Sequence, residues 1–518
     1  MPIHLRIMTV SAGILAVAVL TAFAGLRLAT PAHAADIAVN TTDDENNVDG
    51  DCSLREAVEA ANTDAAVDAC TAGAGADTIA VPAGTYLLET GELEITTDVT
   101  INGAGAADTI VDNADDTGRV FNVNESAATV VINDLTVQNG QSGDGGGIWT
   151  SGTLTINNVV VQDSFADGDG GGIFISGSGT LNATNCQVIN NEAADEGGGI
   201  MNEGPDTLNL NGCLVSGNHA SDDGGGIANV FDATGTIDGS TISGNTADSD
   251  GGGIYIDQCC GVEPFVITNS TISGNTSTGD DGGGVNVEDG EATVTNVTIS
   301  GNSAADTGGG FRVDDGASAA LTNVTITGNS AAPDGGGGVA AMDEGAATLL
   351  NTIVAENPDG DDCAILGTLT SSGHNLSSDD SCGFTGTGDQ INTDPLLEAL
   401  ALNAPGSTQT HALTADSPAV DTGDDAGCPA TDQRGVTRPQ DGDDDGTAVC
   451  DVGAYELEGA APTPTAVPIA ATPTAAPAEL PDTGGTPASD SSVPWLGLLA
   501  AIGAAAVTGG ALAATRRR

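Results

Sequence analysis

The chain has no lysine. Its ten cations are all arginines, set against 73 acidic side chains for a formal net charge of -63 over 518 residues. A nucleic-acid binder needs a basic footprint to replace condensed counterions, so that class is excluded. An anionic membrane surface repels the chain for the same reason. Aromatics are nearly as sparse, with eight Phe, three Tyr and two Trp. Disorder does not follow from the charge, because hydrophobic residues make up 39% and are spread evenly, enough for a large folded core. Glycine is what the chain has in excess, 75 residues, about twice the usual share of roughly 7%. It has no three-residue period, which excludes collagen and leaves turns as its use.

Long apolar runs occur only at the two ends. Arg6, an apolar stretch from Met8 to Leu26 and Ala32-His33-Ala34 read as a signal peptide, residues 1–34, cut after Ala34; a retained membrane anchor is the alternative. At the other end stand a Pro/Thr/Ala-rich linker (459–479), then Leu480-Pro481-Asp482-Thr483-Gly484, an apolar run from 495 to 514 and Arg516-Arg517-Arg518. The run is long enough to span a bilayer, and the arginines hold its end in the cytoplasm. Residues 480–518 resemble a sortase cell-wall sorting signal. The resemblance implies cleavage between Thr483 and Gly484 and transfer of the Thr483 carbonyl to peptidoglycan, with sortase and the cell wall as partners and an extracellular, wall-anchored location. A plain tail anchor would keep the orientation and lose the covalent step. The processed chain carries 72 acids against five Arg, a formal -67.

The middle of the chain repeats. Gly-Gly-Gly followed by an apolar residue recurs with that residue at Ile148, Ile173, Ile200, Ile227, Ile254, Val285, Phe311 and Val339, at intervals of 25, 27, 27, 27, 31, 26 and 28. Within a unit, as in Gly284-Val285-Asn286-Val287, Ala292-Thr293-Val294 and Val297-Thr298-Ile299, apolar residues alternate with period two and break twice. That spells three short strands. The bends between the second and third strands, such as Asn157-Asn158 and Asn211-Gly212, suit left-handed backbone. The expected fold is all-β: a right-handed parallel β-helix, a three-sided solenoid with coils of about 27 residues (95–350). Coils stack at about 4.8 Å, so Asn191, Asn218, Asn245, Asn275, Asn302 and Asn329 should form a hydrogen-bonded column. Cys186 and Cys213 fall one coil apart in the same inward position, as a disulfide or as stacked buried thiols.

An open solenoid needs covered ends. Residues 52–62 are an amphipathic helix within an N-terminal cap (35–94). Cys52-Ser53-Leu54-Arg55-Glu56-Ala57 resembles the exported family named for a Cys-Ser-Leu-Arg-Glu-Ala motif. Residues 351–458 resemble its companion choice-of-anchor Q domain, through Asn392-Thr393-Asp394-Pro395-Leu396-Leu397, Thr410-His411-Ala412-Leu413, Ser417-Pro418-Ala419-Val420-Asp421, Asp432-Gln433-Arg434-Gly435 and Cys450-Asp451-Val452-Gly453-Ala454-Tyr455-Glu456. The resemblance implies an extracellular β-helix with a variable anchor and supplies no reaction. The coils are also similar, more weakly, to the repeats of polymorphic outer-membrane adhesins. Ten Cys in an exported chain favour disulfides; the pairs local to each cap are Cys52 with Cys70, Cys363 with Cys382, and Cys428 with Cys450. Cys259-Cys260 read as a vicinal disulfide.

Two candidate sites follow. Acidic turns precede the glycine triplets, notably Asp167 and Asp169, Asp222 and Asp223, Asp248 and Asp250, and Asp280 and Asp281. Stacked carboxylates repel by roughly 1 kcal/mol at about 4 Å even in bulk water, so the edge calls for raised pKa values, counterions or Ca²⁺ on oxygen ligands; a solvated face is the alternative. After each triplet an outward column carries Trp149, Phe174, Tyr255 and Arg312, flanked by Asp257, Glu288 and Asp314, a groove for stacking on and hydrogen-bonding to surface glycans or host and neighbour-cell ligands. If bend loops fold over this column, the groove closes. A polyuronate lyase needs a base and cations, and Arg312 is the sole cation between Arg119 and Arg434. A hydrolase needs two carboxylates about 5–9.5 Å apart, which acidic stacks meet everywhere by accident. Adhesion or surface interaction is the leading expectation, with a passive structural role or a polysaccharide hydrolase as the alternatives.

Overall fold

The computed structural model describes residues 34–113, 118–259 and 263–459. The expected leader up to residue 33, Cys260, the expected linker beyond residue 459 and the expected sorting signal with Thr483, Gly484 and the 495–514 run lie outside them. Among the described residues no helix is long and apolar enough to cross a membrane.

One coil shows the plan. From Ile148–Thr150 the chain bends into Thr153–Asn157, bends again into Val160–Gln162, and then makes a fourth strand of two residues, Phe165–Ala166. Successive coils repeat these strands in parallel, giving stacked sheets of 11, 13, 12 and 6 strands. The fourth sheet is the departure from the three expected strands: its rungs, Phe165, Glu192, His219 and Thr246, pair in register. Two-residue strands are too short to show an alternation in sequence.

Register is fixed by the residue after each triplet. Ile148, Ile173, Ile200, Ile227, Ile254, Val285, Phe311 and Val339 pair rung on rung and are at most 1% exposed. Each burial is worth roughly 1.5–3 kcal/mol, and a one-residue slip would expose a whole strand's apolar set.

The glycine triplets and the asparagine column form one device. The first glycine has positive φ, +64° at Gly251, which turns the chain from the acidic loop into the strand. A Cβ on the third, Gly253, would fall 2.5 Å from the Gly284 carbonyl and 3.0 Å from the Asn275 carboxamide. That missing atom is the space the Asn column uses. Asn245 donates its backbone N–H (3.0 Å) and its Nδ2 (2.9 Å) to Asn275 Oδ1, and Asn275 Nδ2 donates to Ile242 O (3.0 Å). The pattern repeats from Asn191 to Asn329. It continues to Asn357, one rung beyond the six expected. Upstream Ser164 takes the place, its Oγ accepting from Gly140 N at 3.3 Å.

The N-terminal cap is the helix Leu54–Thr63, with Ser53 and Glu56 closing a reciprocal capping box. Its apolar face, including Leu54, Ala57, Val58 and Ala61, joins the main core, and the Cys52–Cys70 disulfide ties it down. The far end is closed by the Cys363–Cys382 disulfide and Phe384. Residues 392–458 then leave that end and run back along one flank of the solenoid, holding Cys428–Cys450. Cys186 and Cys213 are disulfide-bonded across two coils, with Cα atoms 4.6 Å apart.

Candidate functional site

The acidic edge is two columns. Asp167, Asp222, Asp248 and Asp280 are exposed. Behind them an inner ladder steps up the coils: Asp144 Oδ1 accepts the backbone N–H of Asp169 (3.3 Å), Asp169 that of Glu196 (3.0 Å), Asp223 that of Asp250 (2.8 Å), and Asp250 that of Asp281 (2.7 Å). Asp281 ends the run by accepting from Thr307 N and Oγ1 and pairing with Arg312 at 2.9 Å. Burial pushes Glu196 up to about 8, with Asp223 and Asp169 adding like-charge repulsion. It pushes Asp250 up to about 7 and Asp169 and Asp223 up to about 6. Burial, with like charges adding to it, thus favours the protonated form at four rungs of the ladder, most at Glu196 and Asp250. Asp250, Asp280 and Asp281 each bring one oxygen within 4.8 Å of the others, the one such group on this edge among the described residues.

The expected aromatic groove is closed. The column Trp149, Phe174, Met201, Ala228, Tyr255, Asn286, Arg312 does stack in register on the outside of the 11-stranded sheet. Phe174 is only 5% exposed, Tyr255 6%, Arg312 9% and Asp314 8%, while Trp149, Asp257 and Glu288 are half-buried. The cause is the acidic turn, which folds over the strand that follows it: a Cβ on Gly170 would lie 2.9 Å from Phe174 Cβ, and one on Gly251 2.7 Å from Tyr255 Cβ. Phe174, Met201, Ala228, Val230 and Tyr255 form a small apolar cluster with Trp149 at its margin. Polar tips are consumed internally. Tyr255 Oη donates to Glu288 Oε2 (2.5 Å), and Arg312 binds Asp281, Asp314, Asn286 and Thr307.

An open concavity lies on another face. The returning segment covers the outside of the 12-stranded sheet, through Thr408 Oγ1 to Asn269 O (3.0 Å), Thr271 Oγ1 to Gln409 O (2.6 Å), Thr298 Oγ1 to Gln433 Oε1 (2.7 Å), Ser300 Oγ with His411 Nε2 (2.9 Å), and Ala454 N to Thr325 Oγ1 (2.9 Å). It stops at its hairpin, Ala401–Leu402 with Gln409–Thr410. One, two and three coils further up, the equivalents of the buried Thr271 are Thr241, Leu214 and Gln187, all at least partly exposed. The step between covered and bare coils forms a cleft of about 730 Å³ lined by Asn185, Gln187, Asn211, Leu214, Asp238, Thr241, Leu402, Ser407 and Gln409, with Cys186 and Cys213 at its floor. Its lining is amide, hydroxyl and aliphatic, with Asp238 as the one carboxylate. Asp238 is committed to Thr268 and Asn269 (2.8 Å each) and to Asn211 (3.2 Å). None of these residues stood out in sequence as a binding site: Asn211 marked a bend and Cys186 and Cys213 an inward pair, and the cleft exists only where the docked segment ends, 160 residues or more along the chain from the coils it borders.

Residues 147–331 and 252–384 match the family model for the right handed beta helix region. The fold is a right-handed parallel β-helix. No curated protein matches the chain. Among solved β-helices, pectate lyase Pel9A is 15% identical at a TM-score of 0.43, over 82% of this chain and 96% of the lyase. The A-module of mannuronan C-5 epimerase AlgE4 from Azotobacter vinelandii is 17% identical at 0.38, over 70% and 96%. The catalytic unit of a GH87 α-1,3-glucanase from Streptomyces thermodiastaticus is 19% identical at 0.30, over 69% and 72%. No chemistry is assigned to this β-helix from them.

Proposed function

We propose that this chain is an exported, wall-anchored β-helix that displays a binding surface for uncharged glycans, with the cleft at the hairpin 401–410 as its site. The observation that carries the reading is the lining of that cleft: the amides of Asn185, Gln187, Asn211 and Gln409 and the hydroxyls of Thr241 and Ser407 stand beside the half-buried Leu214 and the exposed Leu402, on a protein whose charge repels anionic ligands. Sugar hydroxyls match such a lining, and Leu214 and Leu402 offer the apolar faces against which a ring packs. Binding is favoured over hydrolysis, because a glycosidase needs two carboxylates across the scissile bond and the cleft offers Asp238 alone. Calcium, on the same reading, is held at Asp250, Asp280 and Asp281, where it would stiffen the edge. The test is an array of neutral and acidic oligosaccharides probed with the exported chain and with Leu402→Glu, which places a charge at a residue 64% exposed. Binding confined to neutral glycans and weakened at least tenfold in Leu402→Glu, at unchanged melting temperature, is expected; no neutral glycan bound, or an unaffected variant, overturns it.

A further inference from the structure

Asp77 is 1% exposed and sits at the start of the strand Asp77–Ala80. Its Oδ1 accepts two backbone N–H groups, from Ala74 and from Ala35, each at 2.8 Å. Its Oδ2 is buried and has no partner. A Cβ on Gly73 would fall 2.6 Å from that oxygen and 2.5 Å from the carbonyl of Ala60, so only the side-chain-free Gly73 separates the carboxylate from the carbonyl end of the cap helix. A helix C-terminus disfavours negative charge, and a buried carboxylate half-satisfied by amides calls for a cation. The cap has none to give: the chain lacks lysine, and Arg55 is spent on Asp44 and on the carbonyls of Gly91 and Glu92.

We propose that Asp77 is the buried receptor for the α-ammonium group that removal of the leader creates at Ala35. The inference rests on the reading that the leader is cut after Ala34. Hydrolysis of the Ala34–Ala35 amide adds one water: the carbonyl carbon gains the oxygen and leaves as the Ala34 carboxylate, and the Ala35 nitrogen keeps the bonding pair and is protonated to –NH₃⁺. Ala34 is exposed while Ala35 packs against the core, so the bond lies at the surface and its product nitrogen already stands at Asp77. The neutral amide contact becomes a charge-assisted one, roughly twice as strong, and the new protons can serve Oδ2. Ala35 also anchors the first strand, since Thr78 N donates to its carbonyl at 2.8 Å. Export thus locks the N-terminal cap only once the leader has gone.

The experiment compares the full exported chain with one carrying Gly-Ser inserted between Ala34 and Ala35, each with and without Asp77→Asn. The authentic N-terminus is expected to raise the melting temperature by a few degrees over the inserted one, and the gap to vanish in Asp77→Asn. Equal melting of the two N-termini, or a gap that survives Asp77→Asn, overturns the proposal. Should Asp77→Asn not fold, native-state labelling with an amine-specific reagent decides. Without lysine the α-amine is the chain's only primary amine, and it is expected to react roughly tenfold more slowly than in the inserted chain, as for a one-unit rise in its pKa; equal rates overturn the pairing. Mass spectrometry of the N-terminus separates the two premises. If export leaves a start other than Ala35, the cleavage reading fails, and a chain engineered to start at Ala35 still tests Asp77.

Discussion

Replacing Asn275 by alanine should destabilise the solenoid far more than its single carboxamide suggests. Its Oδ1 is the acceptor for both the backbone N–H and the Nδ2 of Asn245, its Nδ2 donates to Ile242 O and Asn302 Oδ1, and the residue is fully buried. Alanine leaves at least two buried donors without an acceptor, at roughly 1–3 kcal/mol each, so the loss should be about 2–6 kcal/mol. Water has little room to compensate, because the third glycines of the triplets pack on the column. Serine should recover part of it. At Ser164 the hydroxyl already takes the backbone N–H of the preceding coil and donates to Gln162 O, so Asn275→Ser should lose about half as much. Stability in a repeat array is a sum of local terms, so the assay is amide hydrogen exchange resolved by coil, alongside urea unfolding. Exchange should accelerate most at Asn245 and its neighbours and little at the capping helix. A loss below about 1 kcal/mol for Asn275→Ala, or equal losses for alanine and serine, would refute the ladder argument.

Two further outcomes follow from the acidic edge. Glu196, Asp250, Asp169 and Asp223 have raised native pKa values, so the native state holds protons that the unfolded chain releases near pH 4; their contribution is complete below that point and falls as pH rises toward about 8. Thermal melts of wild type should therefore lose stability between pH 5 and 8, and Glu196→Gln, which keeps an amide in the ladder, should flatten that slope; an unchanged slope would mean the ladder does not titrate. If Asp250, Asp280 and Asp281 hold calcium, millimolar Ca²⁺ should raise the melting temperature above that in chelator with matched ionic strength, and Asp280→Asn, at an exposed position, should remove the difference. An equal rise with sodium chloride would assign the effect to screening.

How much of this was legible in the sequence depended on range. The triplet spacing and the alternation of Val285, Val287, Val294 and Ile299 carry the coil register, because each coil repeats the same local pattern. The Asn column was readable for the same reason. The covered groove was not: Phe174 and Tyr255 alternate as outward residues, and only the path of the acidic turn over them decides their burial. The flank cleft was illegible, since Thr241 and Thr271 have the same local sequence context and differ only in whether the 401–410 hairpin reaches them. Nothing in the local sequence sets Asp77 apart from other acids that open a strand; the packing of Gly73 and Ala35 around it does.

The central claim, that uncharged glycans bind in the cleft beside the 401–410 hairpin, is tested most directly by hydrogen exchange of the chain with and without the tightest neutral oligosaccharide from the array at saturation. Protection should fall on residues 185–187, 211–214, 238–241 and 402–409. Protection on the covered column from Trp149 to Arg312, or no protection at any neutral glycan, would contradict it.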